Sequence, residues 1–532
     1  MSASDYEARF PASGPGPAGL RAGVATRALS VDVWIVGALI AAAAAIRFIV
    51  IDNQSIWQDE ALTLYEARLP FGAMIHTIVH VETTPPLYFV LAWIWGRVFG
   101  TGEVALRTIS ALAGIALVPL AYLSARELFS RRAAVIAGAF VVVNPFMIWY
   151  SQEARAYMLL AALSGASFLW FIRARQDPSR RGVGWWCLFS SLALMTHFFA
   201  GFLVAPEALW LLWRWRTRVV ALAVVVVAVV QCLMLPFAFA DTSHGLSWIA
   251  AVPRLNRISA TAAEWGVGII YRRTTIPEGL IGGALLIAIV AGLIVFGGDR
   301  RTRRGAKVAA AIAGFVFLVP LALSLVGMDY FLSRNVIPAF VPLAALVAGA
   351  CAVPRARLLG GALAVALLAI FSVAAVRVQT ISYLQRPNWR SVAHALGPAP
   401  VQRAILVADG TTGNPLKLYL PRVNWVQPQN HRLSIGEIDI VGATKRLPLV
   451  ATDRVIAGVL TARPAAGASV PRSRSPRGAA LLARFRVNNW ILARFALRHP
   501  MSVDIRELVQ LAPRYFRRVP ASLLVFFQQP GR

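Results

Sequence analysis

The sequence predicts an all-α polytopic membrane protein of about eleven transmembrane helices, with a small extracytoplasmic α/β domain at its carboxy-terminal end. Three observations predict it. Of 532 residues, 58% are hydrophobic and only 14% are charged, where a soluble protein carries roughly a quarter charged residues. A single globular core does not absorb that excess, because cores stop growing at about 250–300 residues. Many apolar runs also approach the roughly 20 residues that cross a bilayer, and the basic residues cluster between them.

The first 30 residues are rich in Gly, Pro, Ala and Ser and read as a disordered cytoplasmic tail. The apolar run Val31–Val50 reads as an uncleaved first span rather than a signal peptide, because more spans follow and no clear cleavage site does. Spans are expected at 33–51, 104–126, 133–149, 155–172, 183–197, 199–213, 217–240, 279–297, 307–327, 335–353 and 358–377. The run Leu87–Phe99 has 13 residues, too few to cross, and suits an interfacial or re-entrant helix. Basic clusters stand at Arg131 and Arg132, Arg173 to Arg181, Arg214 to Arg218, Arg300 to Lys307, and Arg355 and Arg357. With the amino terminus inside, all of them fall on the inside, as topology requires, and the carboxy terminus lies outside. The outward segments are then 52–103, 150–155, a very short turn at His197, 241–278 and 329–335.

The formal charge of +29 comes nearly all from Arg. Its placement between spans explains it and argues against nucleic acid as a partner. Cys187, Cys232 and Cys351 lie in or at the ends of apolar runs without metal-ligand spacing and read as small core residues. The membrane domain is expected over 31–378, with its first outer loop at 52–103, and a basic domain over 379–532. In the latter, Ala404–Ala408 reads as a buried strand before an Asp409-Gly410 turn and a helix through Leu420. Val455–Leu460 and Leu523–Phe527 are further strands, and 462–478 a flexible stretch. Its 22 basic residues against 6 acidic ones suit a solvated face on anionic headgroups, or contact with an acidic glycan or lipid-linked phosphate acceptor.

The outward segments hold the polar chemistry. Asp59 and Glu60 follow the first span, between Trp57 and Tyr65. A carboxylate at the membrane edge is costly unless hydrated, paired or used; Asp59 alone also suits a helix cap. His80, Glu82 and Thr84 precede Pro85 and Pro86, which stiffen the start of the short helix. Arg107 opens the second span on the outside, against the positive-inside pattern. Tyr150-Ser151-Gln152-Glu153-Ala154-Arg155-Ala156-Tyr157 lies at an outer turn, and His197 breaks an apolar run at another. Arg107, Arg155 and Arg334 present planar donor forks suited to a phosphate or diphosphate head. His80, Glu82, Arg107, Gln152, Glu153, Arg155, Tyr157, His197 and Arg334 are the candidate binding residues; His80 with Glu82 also suits a simple polar contact, Arg155 and Tyr157 a local pairing with Glu153, and His197 a satisfied interfacial residue.

The order of these motifs carries a resemblance. An Asp-Glu pair follows the first span; then come His80-x-Glu82-x-Thr84-Pro85-Pro86-Leu87-Tyr88, Arg107, and Tyr150-Ser151-x-Glu153-x-Arg155-x-Tyr157. Over residues 30–380 the chain resembles the GT-C membrane glycosyltransferases, in the branch of protein O-mannosyltransferases and lipid A aminoarabinose transferases. The resemblance implies a polyprenyl-phosphate-linked sugar donor and transfer on the outer face to a hydroxyl of a lipid, protein or polysaccharide. It implies Asp59 as the base that deprotonates the acceptor, with Glu60 orienting Asp59 or the acceptor, and inversion at the anomeric carbon. The turn from Asp329 to Asn335 resembles a late outer turn of the family, with Tyr330 and Arg334 as donor-site residues. Several relatives carry Lys or His where Thr84 stands, so here phosphate binding leans on the arginines. No cofactor is expected, and no nucleotide-binding loop is present; a divalent cation is left open. The rival readings are a transporter or flippase of lipid-linked sugars, which the missing half-to-half repeat argues against, and a non-catalytic lipid-glycan-binding protein.

Overall fold

The computed structural model describes residues 17–80, 82, 84–239, 247–268, 276–407, 414–420, 424–425, 432–443, 479–487, 490–504, 524–528 and 530. Helices α1 (Pro17–Ile49), α2 (Gln58–Arg68), α3 (Phe71–His80) and α4 (Leu87–Phe99) come first. Next are α5 (Glu103–Leu128), α6 (Arg131–Val143), α7 (Pro145–Ser151), α8 (Tyr157–Gln176), α9 (Arg180–Thr196), α10 (Gly201–Arg214) and α11 (Arg218–Phe239). The bundle continues through α12 (Ser247–Ala250), α13 (Arg254–Val267), α14 (Ile276–Gly292), α15 (Arg300–Leu323), α16 (Phe340–Cys351) and α17 (Arg357–Thr380). This is a multi-pass membrane protein, mostly helical. Among the described residues seven helices are long and apolar enough to cross a membrane, or eight if the bent pair α6 and α7 is one span. The exterior of these helices is apolar: Trp34, Ile287, Phe296 and Leu358 are 79%, 72%, 82% and 90% exposed. Side chains of that size face hydrocarbon, not water.

Several sequence expectations change. Helix α1 reaches back to Pro17, so residues 17–30 are not a disordered tail; the Ala-, Leu- and Arg-rich stretch from Arg21 to Leu29 favours helix. Helices α9 and α10 have 17 and 14 residues, about 26 and 21 Å at 1.5 Å per residue, short of the roughly 30 Å hydrocarbon core. The apolar segment Ile337–Cys351 is likewise short. Leu87–Phe99 is a separate 13-residue helix.

The expected span 133–149 breaks at Asn144-Pro145 with a 55° bend. Pro145 has no N–H, so the Val141 carbonyl loses its helical donor. Arg47, fully buried in α1, replaces it: its guanidinium donates to Val141 O at 2.9 Å and to Ser151 Oγ at 3.0 Å. The Asn144 side chain caps α7 by accepting from Met147 N. Gly114 on α5 makes room, since a Cβ there would lie 2.7 Å from Arg47 Nε. The break aims α7 and the loop after it across the end of the bundle where α1 ends and α5 begins.

Beyond α17 come α18 (Trp389–Leu396) and α19 (Asn414–Tyr419), with strands β1 (Arg403–Val407), β2 (Asn424–Trp425), β3 (Arg432–Ala443), β4 (Ala479–Val487), β5 (Trp490–Asp504) and β6 (Leu524–Gln528). They form one sheet in the order β2-β6-β1-β3-β5-β4, with β1 and β3 parallel and the other pairs antiparallel. Trp389, Val392 and Leu396 of α18 pack on Ile405, Val407 and Val441 of the sheet. β1, β6 and α19 fall close to where sequence places elements. The expected turn at Asp409-Gly410, strand at 455–460 and flexible stretch at 462–478 lie outside the described residues. β3 and β5 escape the sequence reading because they bury charge: Glu437 and Asp439 of β3 meet Arg403 at 3.0 and 3.1 Å, and Arg494 of β5 joins Asp439 at 2.8 Å. Charged residues on inward positions erase the alternation that marks a strand.

Removing one member of such a buried network leaves the others uncompensated, at about 3–5 kcal/mol. Arg403→Ala should make the carboxy-terminal domain protease-sensitive while the helical bundle keeps its thermal midpoint. Wild-type protease resistance in that variant would contradict the network's role.

Candidate active site

The ends of α1, α5, α7, α8 and α17 meet the segment 52–103 at one end of the bundle, and the sequence sets the chemistry there. Helix α2 begins at Gln58 with Trp57 at its N-cap and no side-chain cap. Asp59 and Glu60 therefore lie inside the first turn, where the helix dipole favours carboxylates; Asp59 is not the cap. Successive helical residues point about 100° apart, and the two carboxylates diverge. Glu60 is fully buried and accepts from Arg107 Nε and Nη2, both at 2.7 Å, and from Ala154 N at 3.0 Å. Arg107 also donates to the Ile51 and Gln54 carbonyls at 3.0 and 2.7 Å. Burial raises a carboxyl, yet Arg107 and Arg386 together hold Glu60 below its ordinary range. Asp59 keeps 23% side-chain exposure and receives Arg334 Nη1 at 3.2 Å.

Around Asp59 the structure brings together several residues singled out in the sequence. Arg155 donates to the Asp59 carbonyl at 3.4 Å and faces both Glu82 oxygens at 3.3 Å. The Arg334 guanidinium lies over the Tyr157 ring, 5.5 Å from its centroid. Tyr157 in turn neighbours His197 at 5.9 Å, and the Phe199 ring lies 6.0 Å from Tyr330. His80 stands apart: it is exposed, stacks on His76 at 4.1 Å and meets the His76 carbonyl rather than Glu82. Gln152 accepts from Gln379 Nε2 at 2.9 Å. Glu153 accepts from Arg386 at 3.0 Å.

Four contributions were not read from the sequence. Arg386, on the strap after α17, is buried; it donates to Trp149 O and Gln152 O and stacks over the Trp149 ring at 4.4 Å. Its neighbourhood carries no motif, and the break in composition near 378 assigned it to another domain. Glu66 on α2 is buried; burial and the adjacent Glu82 push its carboxyl up to about 9. Helix α13 holds the 329–335 turn, with Arg257 on Asp329 at 2.7 Å and Trp265 Nε1 on the Ser333 carbonyl at 3.2 Å. The carboxy-terminal domain docks on the first loop through Tyr419, which donates to Glu103 at 2.7 Å and accepts from Ile56 N at 2.9 Å, and through Arg390, 2.7 Å from both Asp52 and Glu103. Among the described residues no group of three or more His, Cys, Asp or Glu side chains is arranged to hold a metal.

Residues 83–238 match the dolichyl-phosphate-mannose-protein mannosyltransferase family. No curated protein matches the sequence. Among solved structures, ArnT from Cupriavidus metallidurans bound to undecaprenyl phosphate is similar with a TM-score of 0.50 and 14% identity, over 86% of this chain and 97% of its own. The Archaeoglobus fulgidus oligosaccharyltransferase has a TM-score of 0.41 and 17% identity, over 68% and 54%. The S. cerevisiae Pmt1-Pmt2 protein O-mannosyltransferase complex has 0.31 and 16%, over 44% and 36%. The likeness to ArnT shows a shared fold. The family match lies inside the membrane domain and covers less than half of the chain.

Two outcomes follow from the buried charges. Glu60→Gln should destabilise the fold by about 3–5 kcal/mol, because Arg107 loses its bidentate counter-ion and keeps only Glu103 at 3.9 Å, whereas Asp59→Asn should leave the thermal midpoint within a degree or two; equal midpoints for both variants would contradict this division. Burial also pushes Glu153 up from 4.5 to about 7, against Arg386. A raised carboxyl stabilises the fold fully below about pH 4.5, and that contribution is lost as pH rises through 7. Glu153→Gln should flatten the fall in thermal stability across that window, and an unchanged slope would contradict it.

Proposed function

We propose that the protein moves a sugar from a polyprenyl-phosphate-linked donor to a hydroxyl acceptor on the outer face of the membrane, with Asp59 as general base. The observation that carries this reading is the divergence of the two adjacent carboxylates. Glu60 is consumed by Arg107, while Asp59 stays accessible beside Arg334. An accessible carboxylate beside a guanidinium supplies both requirements of the reaction, a proton acceptor and a stabiliser of the leaving phosphate.

The steps follow from that pair. Asp59 accepts the proton of the acceptor hydroxyl as its oxygen attacks the anomeric carbon. The bond from that carbon to the phosphate oxygen breaks, and the electron pair leaves with the polyprenyl phosphate. Attack opposite to the leaving group inverts the anomeric carbon. Arg334 receives the growing negative charge, which a dry site makes worth more than in water. The donor phosphate competes with Asp59 for Arg334, so donor binding frees the carboxylate to take the proton. Arg155 and Tyr157 line the same space, and Glu82 holds Arg155 in place. Glu60, Arg107, Glu153 and Arg386 position α2 and the loop after α7 rather than touch substrate. Likeness to ArnT, solved with undecaprenyl phosphate, supports a polyprenyl phosphate as carrier.

This reading sets the site outside, with the amino terminus inside and the carboxy-terminal domain on the same side as Asp59. It keeps eleven spans, α9, α10 and the Ile337–Cys351 segment crossing where the bilayer thins around short helices. A cysteine at Val401, 43% exposed on that domain, should react with an impermeant maleimide on intact cells; labelling only after lysis would contradict the topology. Asp59→Asn should lower sugar transfer about 10²–10⁴-fold while retaining donor binding, and Arg334→Ala should weaken donor binding about tenfold or more. Transfer at wild-type rate by Asp59→Asn would remove the base from the mechanism.

A further inference from the structure

At the end of the bundle opposite Asp59, a cavity of about 330 Å³ opens between the ends of α5, α6, α15, α16 and α17. It lies roughly 39 Å from the active site, the length of the 26-residue helix α5 that joins the two. Arg132, Arg301 and Arg357 line it, against Asp299 as its acidic residue, and Phe129 and Gly349 lie at its apolar side. Asp299 is turned to its own helix, accepting from Thr302 N and Oγ1 at 2.7 Å. Arg132 donates to the Arg357 carbonyl at 3.2 Å, and Arg301 to the Arg126 carbonyl at 3.1 Å. Among the described residues the Arg357 guanidinium has no partner. Three helices, α6, α15 and α17, start at this cavity. Ser130 and Asp299 cap the first two, but α17 starts without a side-chain cap, so its first N–H groups remain available to an anion.

We infer that this cavity binds the phosphate headgroup of an anionic phospholipid, with Arg132, Arg301 and Arg357 as its ligands. Charge complementarity selects an anion, and the surroundings select a lipid. Leu358 and Leu359 follow Arg357 directly and are 90% and 69% exposed, an apolar wall for acyl chains beside a basic pocket for the head. Basic pockets between membrane helices recognise anionic headgroups in this way. The site makes no use of Asp59 or of the transfer reaction.

The test is native mass spectrometry of the full-length protein released from nanodiscs of phosphatidylglycerol mixed with phosphatidylcholine. The wild type should retain phosphatidylglycerol in preference to phosphatidylcholine. The double variant Arg132→Gln, Arg357→Gln should lose that retention about thirtyfold, the combined effect of two guanidiniums near a headgroup. Arg132→Lys with Arg357→Lys should keep most of it, and this separates lost charge from a damaged fold. Equal retention of the two lipids by the wild type, or undiminished phosphatidylglycerol retention by the Gln variant, overturns the site. A thermal shift with millimolar inorganic phosphate in pure phosphatidylcholine nanodiscs, without phosphatidylglycerol retention, overturns the lipid as its occupant and leaves a free-phosphate site.

Discussion

The ion pair between Glu60 and Arg107 is the constraint on which the Asp59 end of the molecule depends. Both side chains are essentially removed from water, at 0% and 1% exposure. In that setting a charge without a partner costs several kcal/mol, so the pair persists only while its geometry is complete. It is completed from five directions: α2 supplies the carboxylate, α5 the guanidinium, the turn after α1 two carbonyls, the loop after α7 the Ala154 N–H, and Arg386 a second cation at 3.8 Å. Elements far apart in sequence are thus registered on one point. Asp59 inherits that register, one residue earlier on a helix whose orientation is already fixed.

The same logic recurs wherever the membrane domain departs from ideal helix. The break before Pro145 strands a carbonyl that only a buried donor can satisfy, and Arg47 reaches from α1 to do so. The bend carries Tyr150 to Arg155 toward the site, where Ala154 closes on Glu60 and Arg155 on Glu82. The carboxy-terminal domain is tied in as well. Arg386 and Tyr419 place parts of it within the outer-loop network, so the domain acts as a brace on the first loop. In a chain this apolar, each buried polar group has a specific position, because lipid offers no alternative partner.

The membrane class and most helix positions were legible in the sequence, because apolar length and basic clustering are one-dimensional signals. The polar residues brought together around Asp59 were legible as a list of motifs, and Glu82 with Arg155 or Asp59 with Arg334 could be expected to share a side. Their pairing could not. Nothing local distinguishes Glu60 from Asp59; only Arg107, 47 residues away, turns one into a structural anchor. Arg386 was missed for a similar reason: it lies past the last apolar run, yet folds back onto Glu153. The break at Pro145 was hidden because an apolar run reads the same straight or bent. The strands of the carboxy-terminal domain were obscured by their inward charges, whose compensation by Arg403 appears only in three dimensions.

The proposed transfer turns on an exchange at Arg334, from the Asp59 carboxylate to the phosphate of a polyprenyl carrier. A cryo-EM map of the protein in nanodiscs with saturating undecaprenyl phosphate tests it most directly. The account predicts the phosphate within hydrogen-bonding distance of Arg334, and the Asp59 carboxylate released from the 3.2 Å contact it makes here with Glu60 unmoved on Arg107. A phosphate bound elsewhere, with the Asp59 to Arg334 pair intact, would contradict it.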